Sequence, residues 1–316
     1  MRPISPQFHR RGFLGAGLAS MAATAVAAAP QPFFKRHGLP LGIQLYTLGP
    51  DAAKDLDGTL KSIAAIGYKA VELPGLTGRA PADIRAALDR AGLVCTSAHI
   101  QARGEAGFEG DLARLADALA TIGVTYAVAP SPYAPDHAVQ AAQGLTGAEF
   151  YRKVTASLTA DDWKMNADFL NAKGAALKSS GIGVGYHNHN FEFAPLGDTN
   201  GLEILLKNTD PKLVTFEIDV GWVAAAGADP LALLRKHKGR FTLMHVKDIK
   251  ATTKPNYALT MDPTEIGSGS LDWAKLLPAA YASGVRGFYV EQEPPFTRPR
   301  IEAAKISHDY LARVNG

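Results

Sequence analysis

The sequence predicts a single-domain (β/α)8 TIM barrel, and three observations carry that prediction. Eight short apolar runs recur along the chain, and amphipathic stretches with helix punctuation separate them. Ionisable side chains gather at the C-terminal end of nearly every run. The chain has 316 residues, 47% hydrophobic and 20% charged, an ordinary globular composition with length enough for one barrel.

Taken in order, the strand-like runs are "LGIQLYT" (41–47), "KAVELPG" (69–75), "GLVCTSAHI" (92–100) and "VTYAVAP" (124–130). They continue with "GIGVGYHNH" (181–189), "LVTFEIDVG" (213–221), "RFTLMHVKD" (240–248) and "RGFYVEQEP" (286–294). Each has the length and the β-branched or aromatic content of a buried strand. Between them, "DLDGTLKSIAAIG" sets Leu56, Leu60, Ile63 and Ala64 on one face and stops at Gly67. "PADIRAALDRAG" opens with Pro81 and stops at Gly92, and "DPLALLRKHKG" opens with Asp229-Pro230 and stops at Gly239. Pro or an acid at the start and Gly past the end is the punctuation helices use. "DDWKMNADFLNAKGAALKSSG" reads as a longer helix leading into the fifth strand. The long interval before it, "SPYAPDHAVQAAQGLTGAEFYRKVTASLT", reads as an insertion over the barrel mouth. A doubly wound sheet is the alternative architecture, but no Gly-rich phosphate loop follows any strand.

The N-terminal 30 residues predict something other than fold. "HRRGFLGAGLASMAATAVAAAP" has twin arginines, an uncharged Gly/Ala-rich run and small residues suited to a signal peptidase. It resembles a twin-arginine export signal, so the expectation is a periplasmic protein with its barrel over 31–316. The twin-arginine translocase would then be a partner during export, with no stable membrane insertion after cleavage. Arg2, Arg10 and Arg11 belong to this leader, and removing them from 33 basic residues leaves 30 against 30 acidic ones. No Lys/Arg cluster remains for a polyanion, which argues against a nucleic-acid partner. The lone cysteine, Cys95, cannot form an internal disulfide and reads as a small buried hydrophobe.

Chemistry in such barrels sits at the C-terminal ends of the strands. There the sequence places Glu72, His99, His187, His189, Asp219, His245, Lys247, Asp248, Glu291 and Glu293, with Gln44 and Tyr46 on the first strand. Unpaired charge is costly inside a strand, so this recurrence points to a site. Asp219, His245, Glu291 and an imidazole from the fifth strand would give one divalent ion a mixed N/O shell. Mn, Co, Zn or Fe suit such donors. Alternate residues of a strand share a face, so His187 and His189 can both point into the mouth, and either can be the ligand. Glu192 reads as a structural rim residue. Glu72 and His99 are candidates for substrate contact, or for pairing within the barrel. Trp222 is a candidate for stacking on a sugar ring, or for the core. Lys247 either meets a carbonyl or enolate oxygen or pairs with Asp248.

"AVELPG", "SAHI", "GYHNHNFEF", "FEIDVGW", "LMHVKDI", "EIGSGSLDW" and "YVEQE", in this order, resemble the sugar phosphate isomerase/epimerase family, the xylose-isomerase-like TIM barrels. The resemblance covers essentially all of 31–316. It implies one divalent metal, with ligands at His187, Asp219, His245 and Glu291. His187 stands where that family commonly has Glu, and Trp222 where it often has His. The "HNHNFEF" form looks more like members acting on oxidised sugars, keto-glycoside lyases and inosose-type dehydratases. The resemblance thus implies removal of a proton α to the carbonyl of a keto-sugar or keto-glycoside. Isomerisation, epimerisation or β-elimination would follow, with Glu291, His189 and Lys247 as acid/base candidates. The expected ligand is a small sugar or glycoside, and self-association is left open. The alternatives are a metallohydrolase of the endonuclease IV type and a non-catalytic periplasmic sugar-binding barrel.

Overall fold

The computed structural model describes residues 31–76 and 78–316, together with residue 1. The expected leader, 1–30, lies outside the described residues apart from residue 1. Eight parallel strands close into a barrel: β1 (Leu41–Gln44), β2 (Ala70–Leu73), β3 (Val94–His99), β4 (Tyr126–Ala129), β5 (Gly183–His187), β6 (Val214–Asp219), β7 (Phe241–Val246) and β8 (Gly287–Val290). Each pairs with its neighbours in sequence, and β1 closes the ring against β8 through Leu41 opposite Phe288 and Ile43 opposite Val290. Every strand falls inside a run predicted from sequence, and at least one helix follows each.

The helices form where sequence punctuation places them. Asp55 caps Leu56–Ile66 by accepting from the Gly58 N–H, and Gly67 ends it. Pro81–Ala91 starts on its proline and closes on Gly92 in the left-handed region. Pro230–Lys236 is shorter than expected and stops before Gly239. The insertion after β4 folds as two short helices, Asp136–Ala141 and Gly147–Ala156, before the long helix Ala160–Leu177. At the N-terminal face of the barrel, Phe33 and Phe34 pack edge-on against Phe288, with ring centroids 5.8 and 5.6 Å away.

The two-residue period of a strand layers the barrel interior. Ala70, Val128, Leu243 and Tyr289 fill a low apolar layer. Two residues further along, β2, β7 and β8 deliver Glu72, His245 and Glu291. Asp219, Lys247 and Glu293 stand one further step up, where the strands give way to loops. Interior packing thus passes from hydrocarbon to ionisable groups over two residues of rise. Two glycines make room here. A Cβ on Gly221 would meet Lys247 Cγ at 2.7 Å, and one on Gly269 would collide with the Asp248 carboxylate. The Asp248 carboxylate accepts from the N–H groups of Gly267, Gly269 and Leu271 and from the Trp273 indole, so it pins the "EIGSGSLDW" loop. It is structural, and it is not the partner of Lys247.

Candidate metal and sugar site

The stretch "HNHNFEF" divides its labour. β5 ends at His187, so His189 lies in the turn beyond the strand rather than two places along it. The two rings still meet, edge to face, with centroids 4.8 Å apart. Asn188 stitches the turn to β6, accepting from the Asp219 N–H at 3.1 Å. Asn190 donates to the Asn256 backbone and side-chain oxygens and accepts from the Leu259 N–H, which fixes the loop after β7. Glu192 is wholly buried, accepting from Tyr186 Oη at 2.8 Å and the His189 N–H at 2.9 Å. Burial pushes its carboxyl up to about 8 in spite of those bonds.

His187, Asp219, His245 and Glu291 converge, each offering a ligand atom within 4.8 Å of the others. Asp219 Oδ1 caps the helix Val220–Ala225 by accepting from the Trp222 N–H, which leaves Oδ2 facing the cluster. The Lys247 ammonium, fully buried, lies 2.8 Å from Asp219 Oδ2, 2.8 Å from Glu291 Oε2 and 2.9 Å from Glu293 Oε1. Burial alone would lower its pKa, but the three carboxylates outweigh that and hold it well above the usual lysine value. His245 Nδ1 is 2.9 Å from Glu291 Oε2, while its Nε2 is 2.6 Å from Glu72 and 3.2 Å from Glu217. Against burial, the carboxylates Glu217, Glu291 and Glu72 raise the imidazole well above its ordinary range.

Beneath these groups lies a polar floor, and for Glu72 it decides between the two readings the sequence allows. Glu72, expected at a substrate hydroxyl, is wholly buried and bound by Gln44, Ser97 and His245. Burial would raise its carboxyl, but His99 and His245 hold it at about 2. It orients His245, as an outer partner orients a ligating imidazole. Glu217 escaped the sequence reading altogether. It sits two residues before Asp219 on β6, on the same inward face, with Oε2 3.0 Å from His99 Nε2 and 3.3 Å from His187 Nδ1. Burial, then the neighbouring Glu72 charge, pushes its carboxyl up to about 7. His99 borders the cavity above. Its imidazole is raised by Glu72 and by its bond to Glu217, against burial.

That cavity, of about 600 Å³, opens at the C-terminal face of the barrel. His187, His189, Trp222, Glu291 and Glu293 line it, whereas Asp219, His245 and Lys247 lie just below its surface. Burial, then the Lys247 charge, pushes His189 down to about 3, so it is a neutral imidazole. His187 is likewise held well below its usual value, first by burial and then by His245. Burial pushes the Cys95 thiol up to about 12, which makes it inert packing.

A divalent cation fits this donor set. Six buried polar side-chain atoms among the described residues lack a hydrogen-bond partner, and five lie here: His187 Nδ1, His189 Nδ1, Glu217 Oε1, Asp219 Oδ2 and Trp222 Nε1. Asp219 Oδ2 touches the Lys247 ammonium yet accepts no aligned hydrogen bond from the described residues. The cluster holds five carboxylates, Glu72, Glu217, Asp219, Glu291 and Glu293, and one lysine, Lys247, which touches only the last three. Such a cluster takes up protons on its imidazoles or takes a metal.

Fold and site together define a xylose isomerase-like TIM barrel, and the chain belongs to that family, whose sequence profile matches residues 60–314. An inosose dehydratase of Geobacillus thermodenitrificans is 28% identical over 171 residues, 50% of this chain and 56% of that protein. The match thus spans about half the length of such a relative. The solved sugar phosphate isomerase/epimerase of Parabacteroides distasonis is 26% identical, with a TM-score of 0.67 over 94% of this chain and 98% of that one. The 3-keto-D-glucoside 4-epimerase of E. coli shares the fold at 18% identity, with a TM-score of 0.61 over 86% of this chain and 98% of its own.

Proposed function

We propose that this chain is a divalent-metal-dependent enzyme that removes the proton α to the carbonyl of a keto-sugar or keto-glycoside. The observation that carries the reading is the convergence of His187, Asp219, His245 and Glu291 below a cavity of sugar-binding size. Similarity to an inosose dehydratase and to a sugar phosphate isomerase/epimerase supports the substrate class. Those four residues would hold the ion, which when bound supplies Lewis-acid polarisation of the substrate's carbonyl and hydroxyl oxygens.

The remaining groups divide the proton work. Glu291 is committed to His245 and Lys247, and its carboxyl is held well below the usual range by those cations against burial. Glu293 faces the cavity with one bond to Lys247, and burial raises its carboxyl, so it is the carboxylate placed to take a proton. His189, with Nδ1 unpartnered, meets the cavity from the β5 side and is the second proton-transfer group. Lys247 holds Glu293 and Asp219 in place and offsets the charge that develops on an enediolate. Reprotonation of that enediolate gives an isomer or epimer; departure of a β-substituent gives elimination. Export by the twin-arginine route to the periplasm, proposed on residues 1–30, favours elimination, since glycosides are met there more readily than sugar phosphates.

The experiment is NMR of the metal-loaded protein with 3-keto-glucosides and simple ketoses in D₂O. Isotope uptake at the carbon beside the carbonyl is expected, and the product's structure assigns the outcome. Binding with neither isotope uptake nor turnover would remove the reading in favour of a non-catalytic sugar-binding barrel.

A further inference from the structure

We infer that the cavity is shaped for an uncharged glycoside whose second part is an apolar, aryl-type group, and that Tyr151 and Met261 select it. The inference rests on the reading above for the sugar half alone. The cavity is bipartite. Its floor carries the ionisable cluster, and its outer wall comes from two segments outside the barrel repeat. These are the helix Gly147–Ala156, with Tyr151, and the loop pinned by Asn190, with Leu259 and Met261. Phe191 and Trp222 extend that wall down to His189, whose ring lies 5.5 Å from each of theirs.

Three observations fix the ligand's chemistry. A volume of about 600 Å³ falls within the ~300–1,000 Å³ range of clefts for drug-sized ligands and exceeds what one pyranose ring fills. Tyr151, 46% exposed on this wall, and Tyr46, 44% exposed just past β1, are aromatic faces left to water, whereas Phe191 and Trp222 turn inward. Aromatic faces in such a position take flat apolar groups by offset stacking. Finally, no Lys or Arg is among the described residues that line the cavity, whereas Glu291 and Glu293 are. Lys247 is below the surface and shared by three carboxylates, and Arg103 is spent on the Ala134 carbonyl and Asp136. Phosphate recognition draws on a free lysine or arginine, and none among the described residues lines this space. The ester in the name of the structurally similar sugar phosphate isomerase/epimerase would thus meet no lysine or arginine among the described lining residues.

The test is equilibrium binding by the full metal-loaded chain, followed by calorimetry, with 4-nitrophenyl β-glucoside, methyl β-glucoside and glucose 6-phosphate. The aryl glucoside is expected to bind about tenfold or more tightly than the methyl glucoside, the increment one buried ring supplies. Glucose 6-phosphate should bind no more tightly than the methyl compound. In Tyr151→Ala and in Met261→Ser, both changes at partly exposed positions, the aryl-over-methyl ratio should fall to about twofold or less. Equal binding of aryl and methyl glucosides, preference for the phosphate, an unchanged ratio in both variants, or no binding of any of the three would overturn the inference. Because none of these ligands carries a keto group, the ratio is independent of turnover. Failure of the isotope experiment would sink the reaction and leave the ratio to be judged alone.

Discussion

The Lys247 ammonium lies 2.8 Å from the Asp219 carboxylate, with both side chains wholly buried. The lysine serves as the cluster's internal counter-ion and neutralises part of the charge that would otherwise burst the site. Lys247→Met leaves Asp219, Glu291 and Glu293 without that cation. The expected loss of stability is about 3–5 kcal/mol, as for breaking any buried pair. Calorimetric melts with chelator and with added Mn²⁺ check this: the variant's Tm should fall in chelator and recover more on metal addition than the parent's. A parent-like Tm in chelator would refute it.

Asp219→Asn keeps the cap on Val220–Ala225 but removes the charged ligand. Divalent-metal affinity should fall by at least about tenfold, whereas Glu72→Gln, acting through His245, should lower it by roughly 10–100-fold without touching the ion. Competitive titration against a metal chelator measures both. Unchanged affinity in Asp219→Asn would place the ion elsewhere.

Glu192 and Glu72 predict opposite pH limbs of stability. Glu192 is raised from 4.5 to about 8, so its contribution is complete below the unfolded value and is lost as pH rises through the folded one. Glu192→Gln cannot ionise, and its carbonyl can still accept from the His189 N–H while its amide N–H donates to Tyr186 Oη; its Tm should exceed the parent's at pH 8–9 and vary less above pH 5. Glu72 is lowered to about 2, so its contribution is complete above 4.5 and is lost as pH falls towards 2. Thermal melts from pH 2 to 9 show whether the limbs belong to these residues; an alkaline limb that persists in Glu192→Gln rules Glu192 out.

Asn190→Ala deletes the three hydrogen bonds that hold Asn256 and Leu259. The expected cost is about 2 kcal/mol of local stability. Limited proteolysis should cut sooner within residues 250–262, and KM should rise more than kcat falls. Equal cutting rates would show that the loop is held by other contacts.

The strands and most of the site were legible because both obey a period of two. Apolar runs located β1 to β8, and the same alternation placed Asp219, His245 and Glu291 at one end. Glu217 was open to that rule as well, as the inward neighbour two residues before Asp219, but a carboxylate within a strand reads from sequence as one of many. Glu72 shows a different limit. Its type and position suit substrate contact, and only the three-dimensional partners Gln44, Ser97 and His245 show that it is beneath the site. Of the two readings of Lys247, a carbonyl or enolate contact or a pair with Asp248, the second fails because the period-two geometry turns the two side chains apart. The proximity of His187 and His189 was foreseen for a reason that fails, since the strand ends between them and the turn held by Glu192 supplies the geometry.

The wall around Tyr151 and Met261 hangs on segments that contribute no strand to the closed ring. Sequence change there can redraw what the protein accepts without disturbing the register of any stave, whereas slipping one strand by a single residue would turn its acids and imidazoles outward. Redesign for a new ligand is therefore best confined to these two brims, which leaves the bowl beneath them intact.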